Sequence, residues 1–120
     1  MKANFVSLGA ACAALGIVLG AFGAHGLRGL IGTTELGWWD TATRYWLLGA
    51  LGMLLFGLSQ DSREKSALPG WLLLFGSVLF AGSLYALALG APRALGAITP
   101  LGGLGLAAGF LSFAWTARRH

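Results

Sequence analysis

The chain has 120 residues, 57% of them hydrophobic and only 10% charged, with a net charge of +4 and a single cysteine. A soluble domain carries about 25% charged residues, so these proportions exclude a soluble globular domain and a disordered chain. The small positive charge sits mostly at the ends of apolar runs, which excludes a nucleic-acid binder and reads instead as membrane orientation. Cys12 lies inside an apolar run, which leaves neither an intrachain disulfide framework nor a cysteine metal cluster to build.

The first apolar run covers 3–24 and is broken only by Asn4 and Ser7. A helix needs roughly 20 apolar residues to cross about 30 Å of hydrocarbon, and this run meets that length. A cleaved signal peptide is not expected, because Phe22-Gly23-Ala24 lacks the small residue wanted three positions before the cut. Cys12 comes too late for a lipoprotein signal and reads as a small packing residue. The segment HGLRGLIGTTELG at 25–37 is too apolar for a free loop and too short to span. It is expected to fold over the outer helix ends, because Leu27, Leu30, Ile31 and Leu36 are costly to hold in water. His25, at the end of the first helix, is expected to cap free carbonyls. A second helix is expected to start at Thr33 or Thr34, with the hydroxyl as cap and Glu35 in its first turn. It then runs unbroken into a second span, 38–58. Asp40 and Arg44 stand i,i+4 with the acid first, the better order for an ion pair.

A short polar loop, 60–66, makes the second and third spans antiparallel neighbours. The third span covers 68–89 and the fourth 98–116, with Pro69 and Pro100 in first turns, where proline is tolerated. Four spans put both termini on one side. That side holds Lys2, Arg63, Lys65, Arg118 and Arg119, against Arg28, Arg44 and Arg93 on the other, so the termini are expected in the cytoplasm. Trp71 and Trp115 then fall at the inner face. Trp38, Trp39, Tyr45, Trp46 and Tyr85 fall near the outer face, where amphipathic rings favour the headgroup level.

In lipid, helices associate by close approach of small residues rather than by apolar area. Gly9, Ala13, Gly16, Gly20 and Gly23 form such a seam on the first helix, and Gly102, Gly105, Gly109, Ser112 and Thr116 form one on the fourth. Steps of three and four keep one face towards a partner. Either helices one and four pack on each other within one bundle, or one seam faces another copy in a homo-oligomer.

No nucleophile–base arrangement, HExxH motif or paired carboxylates can be read, and metal ligands are too few. All four acids lie at helix ends or in loops, which argues against a proton relay. No catalytic, cofactor-binding or metal residues are therefore assigned. The one polar concentration is on the outer side: His25, Arg28, Glu35, Asp40, Arg44, Tyr45, Tyr85, Arg93 and Thr99. It is either a lid whose groups pair with one another, with snorkelling arginines, or a basic pocket for a lipid headgroup or other anionic amphiphile.

Four motifs run in order: GAFGAHGL at 20–27, TRY at 43–45, GSLY at 82–85 and GAITPLGG at 96–103. Together they resemble the YgdD-type family of small bacterial inner-membrane proteins, a domain-of-unknown-function family with an animal transmembrane relative. The resemblance covers nearly the whole chain and implies a four-helix inner-membrane protein. It supplies no catalytic or ligand residues. The family pattern carries a histidine four residues past the TRY tyrosine, where this chain has Gly49.

The expected architecture is all-α. It is a single transmembrane domain over 1–120, a four-helix polytopic bundle with a short interfacial segment between helices one and two, set in the bacterial inner membrane. The expected role is non-enzymatic, as a structural or accessory membrane protein. The rival is a module that binds or transports a lipid-like amphiphile at the outer face. A lipid-modifying enzyme lacks any readable constellation. The lipid bilayer is the one partner implied outright, with a bound lipid and a second copy as further candidates.

Overall fold

A computed structural model describes residues 4–60 and 66–118. Lys2, Arg63, Lys65 and Arg119, used above in the orientation reading, and 61–65 of the polar loop lie outside the described residues.

Four long helices follow one another: α1 (Phe5–Ala21), α2 (Thr33–Ser59), α3 (Leu68–Ala88) and α4 (Thr99–Ala117). All four are long and apolar enough to cross a membrane, and the described residues contain no β-strand. Asn4 starts α1, its Oδ1 accepting the Ser7 amide at 3.1 Å, which satisfies one of the free amides of a helix start. At the other end α1 widens into a π-helical turn, Phe22–Gly26, closed by the Leu27 amide donating to the Phe22 carbonyl at 3.0 Å. Pro69 and Pro100 occupy first turns as expected. A 3₁₀ turn, Arg93–Ala97, leads into α4.

Helix α2 does begin at Thr33, but the expected threonine cap is not formed. The cap residue is Gly32, in extended conformation and without a side-chain hydrogen bond. The Glu35 side chain folds back over Gly32, so the first-turn acid serves this helix end.

Packing follows chain order: α1 lies on α2, α2 on α3, and α3 on α4. The expected pairing of helices one and four is not found. The α1 seam closes on α2, where side chains built on Gly9, Gly16 and Gly23 would run into Leu54, Leu47 and Trp39 respectively. The α4 seam closes on α3, with Gly102 against Phe80, Gly105 against Gly76 and Gly109 against Leu73. At these glycines both seams are therefore covered within the chain. The choice of partner follows from connectivity, because short links force sequence neighbours into antiparallel contact before distant helices can meet.

One core joins all four helices through Phe5, Cys12, Ala50, Met53, Phe56, Leu73 and Leu106. Ile17, Leu104 and Leu111 are 66%, 69% and 71% exposed. So much outward apolar side chain suits hydrocarbon and not water.

Candidate functional site

The polar concentration lies at the end of the bundle where the α1–α2 and α3–α4 connections sit. Residues 25–37 are folded there. Leu27 is buried with Trp39 and Ala88, and Ile31 and Leu36 pack against this cluster. The bend is tight: the Leu30 amide donates to the Leu27 carbonyl at 2.9 Å. Gly29 takes φ +82°, a left-handed conformation open to glycine. Leu30 departs from the expectation, since it stands outward and 75% exposed. His25 departs too. Its ring is exposed and makes no hydrogen bond among the described residues, so it is not a helix cap. The Leu27 amide closes the turn instead.

The nine expected cluster residues do not form one site. Asp40 and Arg44 pair at 2.9 Å on the exposed face of α2, the only ion pair among the described residues. Arg28 and Asp40 lie on one side of α2, with Thr43 and Trp39, around a cleft of about 340 Å³. Glu35, Arg93 and Thr99 lie on the other side, around a cleft of about 610 Å³ whose walls include Trp38, Leu84, Leu87 and Pro100. Tyr45 faces neither cleft and packs its ring on Phe80 at 4.8 Å between centroids. His25 lines neither.

Between the clefts the polar groups satisfy one another. The Thr43 hydroxyl donates to the Trp39 carbonyl at 3.0 Å. Its single proton is then used, so the Tyr85 hydroxyl, 2.6 Å away, is the donor to Thr43. The same logic applies on α3. Ser83 donates to the Phe80 carbonyl at 3.0 Å, so Thr99 donates to Ser83.

Two of the tryptophans expected near the outer face turn their indoles onto α1. The Trp39 indole N–H donates to the Leu19 carbonyl at 2.8 Å, and the Trp46 indole to the Cys12 carbonyl at 2.7 Å. Both carbonyls lie four residues before a seam glycine, Gly23 and Gly16. A side chain at either glycine would occupy the indole's place, with Trp39 Nε1 at 2.6 Å and Trp46 Cδ1 at 2.8 Å. The glycine gap is what lets an indole reach a helix backbone. The seven-residue spacing of Trp39 and Trp46, matched by that of Gly16 and Gly23, was the readable signal. Tyr85 and Thr99 stood in the expected polar cluster, whereas Thr43 and Ser83 were signalled only as members of the motifs. Their pairing links TRY to GSLY and GSLY to GAITPLGG, while Trp39 ties α2 to GAFGAHGL.

Among the described residues no group of His, Cys, Asp and Glu could hold a metal ion. The side chains available at this end can hold hydrogen bonds and two separated arginine charges.

A family model described as "Protein of unknown function (DUF423)" matches residues 19–103. The chain is 44% identical to the UPF0382 membrane protein SH2409 of Staphylococcus haemolyticus over 108 residues, covering 89% of this chain and 88% of the relative. It is 45% identical to the UPF0382 membrane protein YwdK of Bacillus subtilis over 103 residues, covering 83% and 84%. It is 36% identical to a UPF0382 membrane protein of Haemophilus influenzae over 118 residues, covering 96% and 94%. No solved structure matches the chain.

Proposed function

The chain belongs to the DUF423 family of bacterial membrane proteins, and we propose that it acts as a non-enzymatic structural or accessory protein of the inner membrane, with both termini in the cytoplasm. One observation carries the reading. Hydroxyls of the motifs are used in holding helices together, Thr43 with Tyr85 and Ser83 with Thr99, and beside them Trp39 is bound to the α1 backbone. Catalysis needs a nucleophile or base poised towards a substrate. Here the hydroxyls of Thr43, Ser83, Tyr85 and Thr99 are paired with one another, and the exposed imidazole of His25 has no ion-pair or hydrogen-bond partner among the described residues.

The purified protein, reconstituted in liposomes of defined lipids, should leave their composition unchanged. A lipid product that disappears in a His25→Ala variant would overturn the reading. The excess of basic residues at 2, 63, 65, 118 and 119 supports cytoplasmic termini. Alkaline phosphatase fused after His120 should be inactive in cells, and active fusions would reverse the orientation.

A second reading is favoured by the cleft around Arg93, whose guanidinium has no ion-pair partner among the described residues and stands beside apolar walls. It is the binding of an amphiphile by its headgroup.

A further inference from the structure

We propose that the cleft between α2, α3 and the start of α4 takes the headgroup of a phospholipid that carries a primary amine beside its phosphate. This deepens the second reading above and rests on it. Two opposite charges line the cleft, Glu35 from the first turn of α2 and Arg93 from the 3₁₀ turn before α4. They form no ion pair with each other. With no ion pair between them, Arg93 can meet the phosphate of a zwitterion, and Glu35, whose carboxylate lies over Gly32 at the start of α2, can meet its ammonium. A guanidinium offers paired N–H donors to a phosphate. A carboxylate accepts hydrogen bonds from an ammonium.

The same pair discriminates between headgroups. A quaternary ammonium has no N–H to give Glu35. A glycerol headgroup brings no cation to it, so the carboxylate faces a net anion. The remaining walls suit the rest of such a molecule. Trp38, Leu84 and Leu87 are apolar and partly exposed, and they lie at the helix ends, where phosphates give way to acyl chains. A volume of about 610 Å³ falls in the range of small-molecule sites, enough for a headgroup and its first methylenes.

The test adds dioleoyl phosphatidylethanolamine, phosphatidylcholine or phosphatidylglycerol to the full-length protein, delipidated in detergent, and counts retained lipid by native mass spectrometry. The ethanolamine lipid should be retained about tenfold to a hundredfold over the other two, the range that one charge-assisted hydrogen bond commands. Glu35→Gln should lower it to the choline level, and Arg93→Gln should lower both together. If Glu35→Gln fails to fold by size exclusion, the three-lipid comparison on the unaltered chain decides alone. Equal retention of the ethanolamine and choline lipids, or a preference for the glycerol lipid, overturns the headgroup assignment while leaving the cleft as a lipid site. Retention of every lipid unchanged in a folded Arg93→Gln protein overturns the cleft reading, and this inference with it.

Discussion

Gly102 and Gly105 belong to one small-residue seam, yet replacing each with alanine should have opposite effects. A methyl group on Gly102 would press on the α3 backbone, with Phe80 Cα at 2.7 Å and the Leu79 carbonyl carbon at 2.8 Å. Backbone cannot swing aside as a side-chain tip can, so α3 and α4 must separate along their contact. Such overpacking costs about 1–3 kcal/mol. The better helix propensity of alanine offsets about 1 kcal/mol of it, leaving a net loss of up to about 2 kcal/mol. A methyl group on Gly105 would meet only Gly76, its Cα at 3.4 Å and its N at 3.9 Å, both ordinary contacts. There the propensity gain stands alone, and Gly105→Ala should be neutral or stabilising by up to about 1 kcal/mol. The two variants should thus differ by about 2 kcal/mol. Reversible unfolding in mixed micelles, followed by tryptophan fluorescence, measures the difference. Equal losses for both, or a larger loss for Gly105→Ala, would refute this account of the α3–α4 contact.

The α1 seam lends itself to similar perturbation. Gly16→Ile should destabilise by about 1–3 kcal/mol through Leu47 and Trp46, whose nearest atoms lie at 2.6 and 2.8 Å from the added Cβ. Its subunit number by light scattering should match that of the unaltered protein, because this seam is already covered by α2. Trp46→Phe keeps most of the ring but loses the donor to the Cys12 carbonyl, and should lower stability by about 0.5–1.5 kcal/mol in the same unfolding assay. His25→Ala, which removes the donor that glutamine would keep, should leave stability within about 0.5 kcal/mol, since the imidazole is exposed and unpartnered among the described residues. A larger loss would restore the capping role.

Composition and run length alone settled the solvent, the number of spans and the approximate helix limits. A bilayer imposes one length on every crossing helix and leaves the chain few alternatives. The folded 25–37 connection was legible for the same kind of reason: Leu27, Ile31 and Leu36 are costly to leave in water wherever the helices end. Spacing also marked Gly9–Gly23 and Gly102–Ser112 as contact faces, because periodicity places residues on one side of a helix.

Periodicity does not say what a face meets. That α1 closes on α2 and α4 on α3 was decided by the three-dimensional arrangement, as was the difference between Gly102 and Gly105, which depends on where the neighbouring backbone passes. The polar end divides for a similar reason. Sequence gives the depth of a residue along a helix but not its bearing around the bundle axis. Arg28 and Arg93, both at one end of the bundle, line clefts on opposite sides of α2. Trp39 and Trp46 look like headgroup anchors by depth, and only the tertiary fold shows glycine gaps opposite them through which an indole reaches a carbonyl. Side-chain bearing and partner identity are properties of the assembled helices, and no single helix's sequence contains them.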